Sequence, residues 1–169
     1  MCVRPPIEGG SKLVGMSQLP NPAFRPLSTA GELSGQKPNT DDSVDERSFY
    51  YQVGGRPVFE KLTREFYARV AEDPEFRALY PEEDLRPAER RLFMFLEQYW
   101  GGPKTYQAER GHPRLRMRHV PFSIGPKQRD TWLKYMREAL DTLELPPLYD
   151  AEMWAYFDRA AHAMQNRAE

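Results

Sequence analysis

The residues of this 169-residue chain best suited to chemistry crowd into one stretch, 103–122. Two of the three histidines, His112 and His119, fall there. They are joined by Lys104, Arg110, Arg114, Arg116 and Arg118, against the single acid Glu109. Tyr106, Leu115, Met117, Val120 and Phe122 place apolar surface between the charges, ready to bury. A histidine, several cations and apolar side chains so close together suit a flat, apolar, anionic ligand that carries a metal. Haem answers that description: its iron takes an imidazole, its propionates take cations and its ring takes an apolar slot.

The three histidines differ in setting. His112 lies between Gly111 and Pro113, so it sits on a turn. His162 is rotated about 100° along its helix from the inward Ala161, toward solvent or the edge of the apolar stripe. His119 follows a short turn, Arg114–Arg118, with Met117 and Val120 beside it and Pro121 just beyond. An iron ligand must be neutral, with its second ring N–H held by an acceptor. His119 meets that requirement best, although pattern alone favours a partly buried structural histidine. The aromatics Phe66, Tyr67, Tyr80, Phe93, Phe95 and Trp132 are equally double-edged. At helical spacing aromatics are usually core, yet buried Tyr and Trp each carry a polar atom that needs a partner. Spacing does not say whether they converge on one cavity.

Composition bounds the rest. The length suits one ordinary domain, and 40% hydrophobic with 29% charged residues is typical of a globular protein. A net charge of −1 argues against nucleic-acid binding by bulk charge. No apolar run approaches the ~18 residues of a membrane span, and no apolar core of ~7–15 residues marks a secretory signal. Cys2 is the only cysteine, which excludes an intrachain disulfide, a thiolate cage and covalent haem attachment through C-x-x-C-H. A reducing cytoplasm is the expected compartment.

The elements that must position the basic stretch are helical. Residues 1–47, rich in Pro and Gly with Phe24 the only aromatic, read as a disordered tail. Residues 48–169 read as the folded unit. A helix is predicted over about Pro57–Ala71, with Phe59, Leu62, Phe66 and Val70 as its buried stripe. Asp73-Pro74-Glu75 opens a short helix as N-cap, N1 and N2, reaching about Leu79. The next runs from Pro87 to about Trp100 with Ala88, Leu92, Phe95, Leu96 and Tyr99 on one face. Gly101-Gly102-Pro103 stops it. After the irregular stretch 103–125, which holds only short helical pieces and is too long for an ordinary helix connection, a helix over about Pro126–Leu143 turns Trp132, Leu133, Met136, Ala139, Leu140 and Leu143 inward. Pro146-Pro147 break the chain, and a last helix from near Asp150 buries Trp154, Phe157, Ala161 and Met164. The tally is all-α: about five helices and one irregular segment.

The folded unit resembles a truncated haemoglobin, of the group II, O-type branch common in actinobacteria. The resemblance covers about residues 48–166. Its motifs are Phe49-Tyr50 with Val53-Gly54-Gly55, Phe66-Tyr67, Ala71-Glu72-Asp73-Pro74, Tyr80-Pro81-Glu82, the run Met94 to Pro103, and the run Arg110 to His119, with Trp132 thirteen residues later. The last run, Arg-Gly-His-Pro-Arg-Leu-Arg-Met-Arg-His, is the most specific. The resemblance implies a two-over-two helical sandwich enclosing haem b, with a loop in place of most of the proximal helix. It assigns His119 as the iron ligand, reversing the reading from pattern alone. It builds the distal side from Tyr67, Tyr80 and Trp132, with Ala88 where many globins place a distal histidine and Leu92 one turn later. Arg118, Tyr106 and Arg91 are candidate propionate contacts; Leu92, Leu115, Phe95 and Met117 are candidate ring contacts.

The implied function is reversible binding of oxygen, and of CO and NO, with tight, slowly released oxygen. Two alternatives stand beside it. One is nitric oxide dioxygenation or peroxide reduction with an external reductase, since the chain carries no flavin or nicotinamide fingerprint. The other is a haem-free globin-fold interaction module. A monomer and a homodimer are equally compatible with the sequence.

Overall fold

Phe59, Leu62, Phe66 and Val70 are all fully buried, and the helix that carries them is the centre of the fold. In this computed structural model, which describes residues 45–168, eight helices and no strand form among the described residues. They are α1 (Phe49–Gln52), α2 (Arg56–Glu72), α3 (Pro74–Arg77), α4 (Arg86–Tyr99), α5 (Thr105–Arg110), α6 (Leu115–His119), α7 (Pro126–Asp141) and α8 (Pro147–Met164). The segment read as a tail lies outside the described residues apart from Asp45–Arg47. These enter a turn closed by the Ser48 N–H on the Asp45 carbonyl.

The α2 stripe falls three or four residues apart, so it faces one way along the helix. Burying each of its large side chains contributes roughly 1.5–3 kcal/mol. Around it, α2 packs on α4, α7 packs on α8, and α2 packs on α7. Two helix pairs therefore stack on each other, the two-over-two arrangement expected. Asp73 caps α3 as its residue type predicts: its Oδ1 accepts the Glu75 and Phe76 N–H groups at 3.0 Å each. Tyr135 of α7 donates its hydroxyl to Asp73 Oδ2 at 2.7 Å, tying the cap to the long helix.

Several expectations need correction. The described residues form eight helices rather than about five: α1 is too short to leave a periodic signal, and α5 and α6 are the short helical pieces within 103–125. Pro147 does not break the chain: it occupies the first turn of α8, where its missing N–H costs nothing, so α8 starts three residues before Asp150. In α4 the fully buried face includes Phe93, Met94 and Leu96, while Leu92, Phe95 and Tyr99 are half-buried. Met153 and Tyr156 join Phe157 and Ala161 in the core, whereas Trp154 is half-buried beneath the Arg137 guanidinium, 5.1 Å from its ring centroid.

The end of α4 explains a glycine pair. Gly101 takes the positive φ of a helix stop, 93°, as Gly-Gly-Pro predicts. Gly102 does something else. A Cβ there would stand 2.9 Å from the Tyr50 ring and 2.8 Å from the Glu97 carbonyl. Its absence lets α1 lie directly on the end of α4. That contact brings the Tyr50 hydroxyl to 2.5 Å from Glu97 Oε1, inside a core where Glu97 is 2% exposed.

Candidate functional site

The site is built from two groups of side chains carried by different elements. The first gathers around Phe66. Its ring lies 5.1 Å from Tyr67, edge-on, and 5.5 Å from Trp132 of α7. Tyr67 in turn lies 5.7 Å from Tyr80, which follows α3. The three side chains expected on a distal side, from α2, α7 and the segment after α3, are thus brought into one cluster. Desolvation raises both phenols: Tyr80 is pushed up to about 12, and Tyr67 well above its ordinary 10.0. Both stay protonated across physiological pH and keep an O–H to donate.

Helix α4 connects this cluster to the second group. Ala88, Leu92 and Phe95 are spaced four and three apart, so they share a face. Ala88 is buried and Leu92 is half-buried against the core. Phe95 meets Tyr106 of α5 edge-on at 5.8 Å. Above Tyr106 stands Arg118, its guanidinium carbon 6.0 Å from the ring centroid.

Arg118 knits the basic stretch together. Its Nε donates to the Pro113 carbonyl at 2.8 Å and its Nη2 to the Arg110 carbonyl at 2.9 Å. Among the described residues no carboxylate pairs with it, so its charge is not neutralised within the protein. Arg91 differs, for its guanidinium is held by Glu82. The carboxylate already balances the charge that the sequence reading offered to a propionate.

His119 is the last residue of α6 rather than a residue beyond the turn. Its Nδ1 lies 2.7 Å from the Leu115 carbonyl oxygen, four residues back. The two remaining histidines stand apart. His112 is exposed, its Nδ1 accepting the N–H of Arg114 at 3.3 Å. His162 is exposed on α8, with Nδ1 2.8 Å from the Asp158 carbonyl. Helix α6 enters through Arg114 in the left-handed region (φ 42°), an uncommon conformation for a residue with a side chain.

Met117 and Val120, expected to bury, are 66% and 68% exposed. The reason is geometric: α6 is a five-residue helix that packs on α8, and these two side chains fall off its packed face. They flank His119. A flat apolar ligand fits such a surface: exposed apolar side chains beside a histidine with one nitrogen committed, and an arginine with no carboxylate partner. Leu115, half-buried and four residues before His119, shares that residue's face of α6.

The sequence reading missed the partner of Arg91 and the role of Asn166 beyond α8. Glu82 follows Tyr80 in a segment with no periodicity, and Asn166 lies 47 positions from His119, so neither left a local signal.

Residues 48–166 match the family described as bacterial-like globin. The chain is 36% identical over 119 residues to group 2 truncated hemoglobin YjbI of Bacillus subtilis, covering 70% of this chain and 89% of that one. Among solved structures it is similar to a thermostable hemoglobin from the actinobacterium Thermobifida fusca, at 56% identity and TM-score 0.71, covering 72% of this chain and 99% of that one. It is also similar to a truncated oxygen-avid haemoglobin from Bacillus subtilis, at 35% identity and TM-score 0.66, covering 70% and 99%.

Proposed function

This chain belongs to the bacterial-like globin family, and from that premise we propose how its own residues hold haem and retain oxygen. Membership makes it an all-helical, haem-binding globin that binds oxygen. The group we propose is haem b, as the resemblance to truncated haemoglobins implies; the single cysteine, Cys2, offers no C-x-x-C-H pair for covalent attachment. When bound, it supplies the iron that takes a diatomic gas reversibly.

His119 is the iron ligand. With its Nδ1 proton donated to the Leu115 carbonyl, the lone pair lies on Nε2, and the hydrogen bond fixes the ring's orientation. Arg118 and Tyr106 take the propionates, whereas Arg91 is held by Glu82. Leu92, Phe95, Leu115 and Met117 cover the ring.

The distal side is a set of donors. The phenols of Tyr67 and Tyr80 and the indole N–H of Trp132 offer hydrogen bonds to an electron-rich diatomic ligand. Their rings are packed together around Phe66, and donors held by packing need little reorganisation. Ala88 leaves that work to them. Each bond contributes about 0.5–1.5 kcal/mol, more where water is excluded. Two or three together slow oxygen release by about 5- to 2,000-fold. The description of the Bacillus subtilis relative as oxygen-avid supports the same reading, which is retention rather than bulk delivery.

The observation that carries this function is the half-buried His119, its Nδ1 committed to the Leu115 carbonyl and one nitrogen left as a ligand, beside Arg118 on the Tyr106 ring. His162 makes the same kind of bond from an exposed position. The test is the absorption spectrum of the purified protein with haem available, oxidised, reduced and carbonmonoxy. A Soret band that responds to reduction and to CO is expected. A protein that persistently takes up no haem contradicts the reading and supports a haem-free interaction module.

A further inference from the structure

Beyond the end of α8 the chain turns back over the segment that follows His119, and Asn166 bonds to that segment through both ends of its amide. Its Nδ2 donates to the His119 carbonyl at 3.1 Å and to the Phe122 carbonyl at 2.9 Å. Its Oδ1 accepts the Ile124 N–H at 3.0 Å. Its own backbone N–H donates to the Ile124 carbonyl at 2.9 Å, an acceptor shared with the Arg167 N–H at 3.0 Å. The strap has a second anchor, because Arg129 of α7 donates to Gln165 Oε1 at 2.7 Å.

Helix α6 has only five residues, and a helix so short is marginal without outside support. Its last carbonyls have no partner within the helix. The His119 carbonyl instead takes two donors, the Phe122 N–H at 3.0 Å and Asn166 Nδ2. One exposed amide therefore sets where α6 ends and how the chain leaves it. The imidazole hangs from that same backbone.

We propose that Asn166 is a positioning residue for His119, acting across 47 positions of sequence to fix the backbone from which the iron ligand projects. The inference rests on the reading of His119 as that ligand. Loss of the amide lets residues 119–124 relax. The imidazole then samples a range of tilts toward the iron, and the haem is held less tightly. Supporting groups of this kind typically change metal affinity by about 10–100-fold.

The test compares wild type, Asn166→Ala and Gln165→Ala as full-length haem-loaded proteins. The readouts are the iron–histidine stretching band of the ferrous protein by resonance Raman and the rate of haem transfer to excess apomyoglobin. Asn166→Ala is expected to shift and broaden the band and to speed haem transfer by about tenfold. Gln165→Ala loosens the strap at its other anchor and is expected to leave the band in place. An unchanged band in Asn166→Ala, beside a normal wild-type band, overturns the proposal alone. So does an equal shift in Gln165→Ala, which marks the strap as merely structural. A wild-type ferrous protein with no iron–histidine band overturns the reading of His119 and the proposal with it.

Discussion

The Nδ1 atom of His119 lies one helical turn from the Leu115 carbonyl oxygen that accepts its proton, at 2.7 Å. Both groups belong to the same five-residue helix, so the orientation of the ring is set locally. The backbone around it is held by Arg118 of the same helix, which donates to the Pro113 carbonyl, and by Asn166, 47 positions away, which donates to the His119 carbonyl. The short helix that carries His119 thus draws on one contact that is distant in sequence, from Asn166.

Trp132→Phe removes the indole N–H while keeping an aromatic ring against Phe66 and Phe157, its neighbours at 5.5 and 6.0 Å. One hydrogen bond of ordinary strength corresponds to a rise of about 2- to 12-fold in the oxygen dissociation rate. Stopped-flow displacement of oxygen by CO measures it. An unchanged rate removes Trp132 from the donor set.

The phenols of Tyr67 and Tyr80 set the alkaline behaviour. Burial raises both in the folded protein, Tyr80 to about 12 and Tyr67 well above 10.0. The stability they contribute is fully present below the unfolded value of 10.0 and is lost as pH rises through the folded values. Oxygen dissociation is therefore expected to be flat from about pH 6 to pH 9, with unfolding at more alkaline pH. A rate that climbs with a midpoint inside the flat range contradicts the assignment of protonated donors.

Tyr50→Phe strips the buried Glu97 carboxylate of the hydroxyl that stands 2.5 Å away. Leaving such a group unsatisfied costs about 1–3 kcal/mol. Urea denaturation followed by circular dichroism reads the loss, which appears with or without haem. A variant as stable as wild type would show that the contact contributes nothing.

How much of this was legible in the sequence depends on the range of each signal. The α2 stripe and the Asp73 cap announce themselves within a few residues, so the long helices and their inward faces could be read directly. Helix α1 could not, because four residues hold no full period, and α6 could be read only as a short turn whose end fell one residue early. The distal cluster needed the resemblance: Tyr67, Tyr80 and Trp132 meet only after α2, α3 and α7 have packed around Phe66. The exposure of Met117 and Val120 ran against their hydrophobicity, since apolar character says that a side chain prefers burial but not what will cover it. Glu82 on Arg91 and Asn166 on His119 are pairings made by the fold alone.

Asp73 gives an acid-dependent handle on the fold. The Phe76 N–H, the Tyr135 hydroxyl and the Glu75 N–H hold its carboxyl below the ordinary 3.8. A depressed value contributes stability that is full above 3.8 and disappears as pH falls through the folded value. Asp73→Asn, which carries no ionisable group, is expected to lie below wild type in thermal midpoint at pH 7, with the gap starting to close below 3.8 and vanishing only as pH falls past the lower folded value. A constant difference across that range would show that the charge is irrelevant to the cap.

The most direct measurement is the ferrous absorption and resonance Raman spectrum of His119→Gly, recorded with and without added imidazole. The account predicts that the iron–histidine band disappears in the variant, that haem is lost readily, and that free imidazole restores both the band and retention. A variant whose ferrous spectrum and haem retention match wild type without imidazole would place the iron ligand elsewhere and contradict it.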